Sequence, residues 1–210
     1  MNSIVILGGG GHAKVVISIL KKLSDYDIAG YVDPFDHGSV LGVRCLGGDD
    51  VLPRLLNEKR VTNAVLGVGH PEGAALRHAL SLRASAVGFA FPAVISPCAI
   101  VNECVSIGDG TVVMDGAVIN AGTRIGSHCI LNTSSSVDHD CEIGDFVHLC
   151  PGATLSGGVR VGSDSFIGTG ASVIQGMTIG MGCFIGAGAV VVTDCRENGR
   201  YMGVPARPTR

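Results

Sequence analysis

The sequence from Ile95 to Leu131 reads ISPCAIVNECVSIGDGTVVMDGAVINAGTRIGSHCIL, and every sixth residue in it is aliphatic. The same spacing continues without interruption to Val191. Neither a helix nor a flat sheet repeats every six residues. A chain that winds a coil with three short flat sides does, because each side contributes one inward side chain. The spacing therefore predicts a three-sided β-solenoid from Ile95 to Val191.

Two further patterns support this geometry. A glycine follows the aliphatic residue every eighteen residues, which makes eighteen residues one complete coil: Gly108, Gly126, Gly144, Gly162 and Gly180. Two residues before each aliphatic position the side chain is mostly small, as a tight interior corner requires. A glycine-rich low-complexity tract does not keep an aliphatic phase over so many repeats, so we set that alternative aside.

Composition excludes several classes of function. The chain has 210 residues, and its mean hydropathy of +0.43 comes without any apolar run near the ~20 residues that a membrane-spanning helix needs. The N-terminus lacks the basic region of a signal peptide, so we expect a cytoplasmic protein without membrane insertion. A net charge of -3 and 4% aromatic residues argue against nucleic acid as a partner. The eight cysteines contain no Cys-x-x-Cys pair and are expected to be free thiols.

The N-terminal part begins with a strand, a glycine turn and a helix, predicted at 3–7, 8–11 and 12–23. Free backbone N–H groups at such a helix start favour a phosphate. A second strand, 28–32, ends at Asp33, near the distance at which nucleotide-binding domains place an acid on a ribose. The turn lacks the third glycine of a full dinucleotide fingerprint, so a turn that serves only packing remains the alternative.

The remaining N-terminal segments complete a small α/β domain. They predict helices at 50–56 and 71–83 and strands at 64–68 and 87–91. The domain is too short for both halves of a dinucleotide fold but could hold one nucleotide. We therefore expect three parts: an α/β Rossmann-like domain (1–92), the β-solenoid (93–196) and a tail (197–210) that does not continue the coils.

Polar residues that break the repeat pattern cluster in one window, 132–158. In it, His139 lies between Asp138 and Asp140, and His148 follows nine residues later. A histidine beside carboxylates is a plausible general base, because a neighbouring acid favours its protonated form. The alternative is that both histidines are solvated surface residues, as we expect for His128 and for the serines at 134–136.

The spacing of the two histidines predicts an oligomer. Nine residues are half a coil, so His139 and His148 of one chain should lie on different sides of the solenoid, about 15 Å apart at ~3.3 Å per residue. Two solenoids packed side by side could bring them together at a subunit interface. A zinc site is an alternative, but zinc prefers three or four convergent ligands and only two strong candidates exist, so no metal is expected.

Four parts of the sequence are distinctive: the six-residue repeats, GGGGHAKVV at 8–16, VDHDCEIGDFVHLCPGA at 137–153 and GVPAR at 203–207. Together they resemble the sugar O-acyltransferase, sialic acid O-acetyltransferase-like family of hexapeptide acyltransferases. Within it the chain is similar to bacterial nucleotide-sugar N-acetyltransferases that acylate a 4-amino sugar. The resemblance implies a left-handed parallel β-helix, a hand that the repeat period does not determine. It also implies acetyl-CoA as co-substrate, a nucleotide-linked amino sugar as acceptor and a homotrimer.

The resemblance also implies site residues. His139 would be the general base, Asp140 the acid that raises its basicity, and Gly157 the backbone amide that meets the thioester oxygen. His148 would contact acetyl-CoA. The remaining positions are implied for the CoA arm, at Thr169 and Ala187, and for the nucleotide sugar, at Gly10, Gly11, His12, Asp33 and Gly69.

The expected reaction is direct transfer in a ternary complex, in which His139 takes a proton from the sugar amine and Gly157 N–H stabilises the oxyanion. Three alternatives stay open at this point. They are O-acetylation of a sialic acid or another sugar hydroxyl by the same base, a metal-dependent β-helix lyase or hydratase, and a non-catalytic nucleotide-binding scaffold.

Overall fold

A computed structural model describes residues 2–59, 61–69 and 74–209 of the chain. The chain divides into two compact units, Met1–Pro97 and Cys98–Arg210. Among the described residues, no helix combines the length and the apolar character needed to cross a bilayer.

The first unit is a small α/β domain around a three-stranded parallel sheet, in the order β2 (Tyr26–Val32), β1 (Asn2–Leu7) and β3 (Asn63–Leu66). Its elements in chain order are β1 (Asn2–Leu7), α1 (Gly11–Lys22), β2 (Tyr26–Val32), a 3-10 turn (Asp49–Val51), α2 (Leu52–Lys59), β3 (Asn63–Leu66), α3 (Ala75–Val87) and β4 (Val94–Ile95). Burial of apolar side chains from β1, β3, α2 and α3 builds its core. The strand, glycine turn and helix predicted at the N-terminus are confirmed to within two residues.

One N-terminal prediction is wrong. The strand expected at 87–91 does not form: Val87 ends α3, and Gly88 caps the helix in the left-handed conformation with φ 115°. Beyond the cap, Ala90 makes a single bridge to Asn63. A glycine C-cap inside an apolar run was mistaken for part of a strand. The predicted start of α3, at 71–73, lies outside the described residues.

The second unit is a left-handed parallel β-helix of about six turns. Strands of two residues, and in one case of three, stack into three sheets, which we call the first, second and third sheet. The first sheet contains β7 (Val112–Val113), β10 (Ile130–Leu131), β13 (His148–Leu149), β16 (Phe166–Ile167), β19 (Phe184–Ile185), β21 (Arg200–Met202) and β22 (Arg207–Pro208). The second contains β5 (Ile100–Val101), β8 (Val118–Ile119), β11 (Ser136–Val137), β14 (Thr154–Leu155), β17 (Ser172–Val173) and β20 (Val190–Val191). The third contains β6 (Ser106–Ile107), β9 (Arg124–Ile125), β12 (Glu142–Ile143), β15 (Arg160–Val161) and β18 (Thr178–Ile179).

The six-residue aliphatic pattern forms the interior of the β-helix. From Val113 to Val191, each of its members is at most 5% exposed, whereas Val101 in the first coil is 39% exposed. The small residues two positions earlier fill the corners, and those with at most 1% exposure are Thr111, Ala117, Thr123, Cys129, Ser135, Cys141, Ala153, Ser165, Ala171, Cys183 and Ala189. The expected surface position of Ser135 is thereby corrected, since it is one of these interior corners.

A third pattern of six was not recognised in the sequence. From Cys104 to Gly188, every sixth residue has a φ between 55° and 74°, which turns the chain at each corner. Glycine occupies most of these positions, and the others include Asp140 and Asp164. Asp and Asn tolerate this left-handed conformation better than most residues do. The corner geometry thus explains why an aspartate can follow His139 directly.

The tail does continue the coils, contrary to the sequence prediction. Its strand β21 pairs in parallel with β19, with Phe184 opposite Arg200 and Ile185 opposite Tyr201. This pairing spans sixteen residues instead of eighteen, so the six-residue count does not reveal it. Tyr201 is buried where the earlier coils have an aliphatic residue, and β22 returns antiparallel to β21.

Candidate active site of the β-helix

His139 lies at the corner between the second and third sheets, just after β11. Its side chain is 62% exposed, and its Nδ1 lies 2.9 Å from Asp140 Oδ2. An ionised carboxylate only accepts hydrogen bonds, so Nδ1 carries the proton and Nε2 keeps its lone pair. The structure thus gives His139 the tautomer of a general base, with Nε2 free to take a proton.

Electrostatics increases the basicity of His139. The hydrogen bond to Asp140, followed by the charge of Asp138, raises the pKa of His139 above its ordinary value. Asp140 is kept within reach by its left-handed φ of 58° and by Gly122, where a Cβ would come within 2.7 Å of Asp140 Oδ1. A glycine at position 122 therefore leaves the space that the Asp140 carboxylate occupies.

A polar ladder reaches the same corner from the preceding coils. Asn102 Nδ2 donates to Asn120 Oδ1 at 2.7 Å, and Asn120 Nδ2 donates to Asp138 Oδ1 at 3.1 Å. Asp138 Oδ1 also accepts the backbone N–H of His139 at 2.8 Å. These contacts fix the Asp138 carboxylate, and through it the backbone of His139. The ladder was missed in the sequence, although its three members are spaced by eighteen residues.

Gly157, one coil further along, lies directly beneath the His139 ring. A Cβ at this position would come within 2.6 Å of His139 Nε2. The backbone holds the two together, since Gly158 N–H donates to the carbonyl of His139 at 2.9 Å. Within the part of the chain that the structure describes, no acceptor is recorded for the Gly157 N–H. A lone-pair nitrogen and an unused backbone amide are thus side by side at an exposed corner.

His148 belongs to β13 of the first sheet and is only 8% exposed. Its Nε2 accepts from Asn132 Nδ2 at 3.1 Å, and its ring meets Phe166 edge-on with centroids 5.3 Å apart. The two histidines therefore lie on different sides of the β-helix, as their spacing predicts. Asn132 was noted only as the start of the polar window, and its contact with His148 needed the structure.

The structure places Thr169 and Ala187 close together. Thr169 and Ala187 are exposed one coil apart at the corner between the first and second sheets, where Gly188 N–H donates to the Thr169 carbonyl at 2.8 Å.

The expected surface position of His128 is wrong, because this residue is half-buried and stacks on Phe146 with centroids 4.8 Å apart. The described residues contain no group of three or more His, Cys, Asp or Glu side chains arranged to hold a metal ion.

In the first unit, the glycine turn opens on a cleft of about 490 Å³ lined by Gly9, Gly10, Gly11, Lys14, His37, Ser39, Val40 and Leu41. Gly10 caps α1 without a side-chain partner, which leaves the helix N-terminus available to an anion. Asp33 holds the turn, because its carboxylate accepts the N–H of Gly9 at 2.8 Å and that of Phe35 at 2.9 Å. Asp33 therefore lies beside the turn, as predicted, and braces it.

His12 and Gly69 differ in their surroundings. Burial, followed by the charge of Arg77, lowers the pKa of His12 to about 4, so its imidazole is neutral at physiological pH. Its Nε2 is buried and has no hydrogen-bond partner among the described residues. Gly69 is half-buried and lines neither this cleft nor the mainly apolar cleft of about 320 Å³ beside Asp33 and Phe35.

The whole chain is similar to solved sugar acetyltransferases. With perosamine N-acetyltransferase from Caulobacter crescentus, solved as a His-to-Asn variant with CoA and GDP-perosamine, it shares 41% identity and a TM-score of 0.94, over 100% of this chain and 98% of that one. The chain belongs to the hexapeptide β-helix sugar acetyltransferases. Residues 3–75 match the PglD N-terminal domain family. No curated protein sequence matches the chain significantly.

Two other members of this acetyltransferase family cover the chain almost completely. The acetyltransferase domain of PglB from Neisseria gonorrhoeae has 37% identity and a TM-score of 0.92, with 100% of both chains covered. WeeI from Acinetobacter baumannii has 26% identity and a TM-score of 0.87, over 98% of this chain and 99% of that one. Both the α/β unit and the β-helix are therefore shared with these relatives.

The environment of His139 predicts a pH effect in the Asp140→Asn variant. A base must be neutral to act, so kcat/KM should rise with pH through the raised pKa of His139. Asparagine removes the largest cause of that raised pKa, and the acid limb of the profile should move to lower pH with kcat about 10-fold lower. The matched control is Asp164→Asn, at another corner with φ 64°. An unmoved acid limb in Asp140→Asn, or an equal shift in the control, would contradict the assignment.

Proposed function

We propose that this protein is an acetyl-CoA-dependent N-acetyltransferase that acts on the 4-amino group of a nucleotide-linked amino sugar. The observation that carries the proposal is the position of His139 Nε2 over Gly157, whose N–H has no acceptor among the residues that the structure describes. A base next to an oxyanion donor is what aminolysis of a thioester requires. Relatives solved with CoA and GDP-perosamine, or with acetyl coenzyme A, support the two substrates.

The proposed reaction is a direct transfer. His139 Nε2 removes a proton from the amine as its nitrogen attacks the thioester carbonyl, and the Gly157 N–H donates to the oxygen that becomes negative. The C–N bond forms, the C–S bond breaks, and CoA leaves as a thiolate that takes up a proton. Asp140 stabilises the imidazolium formed in between. The products are the N-acetylated sugar nucleotide and CoA.

The nucleotide part of the acceptor is proposed to bind at the glycine turn of the first unit. The free N–H groups of Gly10 and Gly11 at the start of α1, with Lys14 beside them, suit a diphosphate. The neutral imidazole of His12 can donate a hydrogen bond to an uncharged polar group or accept one from it. Asp33 braces the turn and retains lone pairs for a ribose hydroxyl.

The test of the function is an acetylation assay with acetyl-CoA and GDP-, UDP- or dTDP-linked 4-amino sugars, in which the products are identified by mass. The expected product carries one acetyl group that survives mild alkaline hydroxylamine, because an amide resists this treatment and an ester does not. A parallel reaction contains the same nucleotide sugars with a hydroxyl in place of the amine. Turnover of only the hydroxyl acceptors would favour O-acetylation and overturn the proposal.

We further propose a homotrimer whose active sites pair His139 of one subunit with His148 of another. The two residues lie on different sides of one β-helix, which supports a shared site. Mixed trimers refolded from His139→Ala and His148→Ala chains should regain activity that neither variant has alone, because some interfaces then combine the two intact residues. Mixed chains that sediment as trimers but regain no activity would contradict the shared site.

A further inference from the structure

Three buried cysteines make the same pair of contacts inside the β-helix. The N–H of each donates to a hydroxyl one coil earlier, on Thr111, Thr123 and Ser165 for Cys129, Cys141 and Cys183 respectively. Each sulfur also lies near a backbone carbonyl of the following coil, at 3.0 Å for Gly144, 3.3 Å for Ser156 and 2.9 Å for Arg196. Burial raises the pKa of Cys141 and of Cys183, so these thiols keep their protons and can donate.

The contact of Cys141 falls on the peptide that carries the oxyanion donor. Cys141 Sγ donates to the Ser156 carbonyl, and the N–H on the other side of that peptide belongs to Gly157. A trans peptide is planar, with its C=O and N–H pointing in opposite directions. A carbonyl held toward the interior therefore turns the Gly157 N–H away from the interior. This is the glycine beneath His139 Nε2.

The hydroxyl partner of Cys141 acts on the other half of the site. Thr123 Oγ1 donates to the Asp138 carbonyl at 2.8 Å, within the peptide that ends in the N–H of His139. With that carbonyl held inward, the His139 N–H points outward, where Asp138 Oδ1 accepts it at 2.8 Å. One interior hydroxyl–thiol pair thus holds both peptides from which the base and the amide project.

The equivalent pair in the preceding coils supports only the scaffold. Thr111 and Cys129 hold the Gly126 and Gly144 carbonyls in the same way. The outward N–H groups of those peptides are already bound, Ser127 N–H by Asp145 Oδ1 at 2.7 Å and Asp145 N–H by Ser163 Oγ at 3.0 Å. The peptide held by Cys141 differs from these two because its outward N–H, that of Gly157, has no recorded acceptor among the described residues and lies at the glycine beneath His139 Nε2.

We infer that Cys141 is a positioning residue for acetyl transfer, which directs the Gly157 N–H at the developing oxyanion by holding the Ser156 carbonyl. The inference rests on the proposed acetyltransferase function. Cys141 is fully buried, so its contribution is expected in the rate of the chemical step and not in substrate binding. A hydroxyl at this position can donate to the same carbonyl, whereas a methyl group cannot.

The experiment compares Cys141→Ala and Cys141→Ser with Cys129→Ala and Cys183→Ala, which remove the same contact elsewhere. We expect Cys141→Ala to lower kcat about 10-fold with KM for both substrates unchanged. The factor is modest because displacing the Gly157 N–H costs less than removing an oxyanion donor altogether. Cys141→Ser should keep kcat within about 2-fold of wild type. The control variants should match Cys141→Ala in thermal stability and keep wild-type kcat.

A second measurement is independent of activity. In protein labelled with ¹⁵N and ²H, the amide resonance of Gly157 should shift in Cys141→Ala, return toward its original position in Cys141→Ser and stay in place in the controls. An unmoved Gly157 resonance in Cys141→Ala overturns the inference, and so does an equal loss of kcat in Cys183→Ala. If the Gly157 resonance shifts in Cys141→Ala but the protein acetylates no amino sugar, Cys141 does position the Gly157 amide and the proposed function is rejected.

Discussion

Replacing His139 with alanine is expected to lower kcat for acetyl transfer by about 10²–10⁴-fold, the range that a positioned general base contributes. The variant loses the only group at this corner that combines an exposed lone pair with a raised pKa, among the residues that the structure describes. The affinity for CoA should be nearly unchanged, because the CoA contacts that the family resemblance implies lie at His148, Thr169 and Ala187. Steady-state kinetics and calorimetric titration with CoA measure the two quantities separately.

The control for this prediction is His128→Asn. His128 stacks on Phe146 and has a φ of 56°, a conformation that asparagine accepts more readily than alanine does. Loss of its ring should affect stability and leave kcat near wild type. If His139→Ala kept a rate within about 10-fold of wild type, substrate positioning and the Gly157 amide would have to provide the catalysis, and His139 would not be the base.

Replacing Gly157 with alanine is the second substitution with a large expected effect. The added Cβ would come within 2.6 Å of His139 Nε2 and 2.7 Å of its Cε1. The exposed ring must swing away, which breaks its contact with Asp140 and moves Nε2 from the Gly157 amide. We expect kcat to fall by about 10²-fold or more, as when a base or an oxyanion donor is lost. The backbone at Gly157 is not left-handed, so the melting temperature should change little.

The contrasting variant is Gly176→Ala, one coil further along the same corner. A Cβ there meets nothing within 4 Å, but φ is 71°, so alanine should cost about 1–2 kcal/mol of stability and leave kcat nearly intact. Kinetics and thermal unfolding of the two variants separate a steric effect on the ring from a general effect of glycine replacement. Equal losses of stability and activity in Gly157→Ala would contradict the placement of His139 over this glycine.

Most of the fold followed from spacing because a β-helix is a local repeat. Each six-residue segment presents one aliphatic residue to the same interior, so the aliphatic, small and glycine patterns were readable without knowing any contact. Prediction failed where the repeat length changes. The coil that ends in Tyr201 is two residues shorter than the others, and an aromatic residue replaces the aliphatic one. The prediction of a strand at 87–91 failed for a local reason, because Gly88 caps α3 there.

The site was predictable in part. His139 and Asp140 were found because they are adjacent, and adjacency in the chain fixes their proximity. Asn132 was not connected to His148, since their contact joins positions sixteen residues apart on neighbouring coils. The ladder from Asn102 to Asp138 could have been found by extending the eighteen-residue comparison to polar residues. The direction of its amide hydrogen bonds depends on the carboxylate at one end, which only accepts.

The sequence by itself determined the eighteen-residue coil, the three-sided interior and the corner at which a base could lie, because these depend on periodicity and on neighbours along the chain. The tertiary structure alone decided that His139 Nε2 lies above Gly157 and that, within the described part of the chain, the amide of this glycine is left without an acceptor. It also decided that Thr123 and Cys141 hold the two peptides from within. These relations join residues of successive coils, and their directions are set by the planarity of the peptide and by the positive φ at each corner, neither of which a residue count reveals.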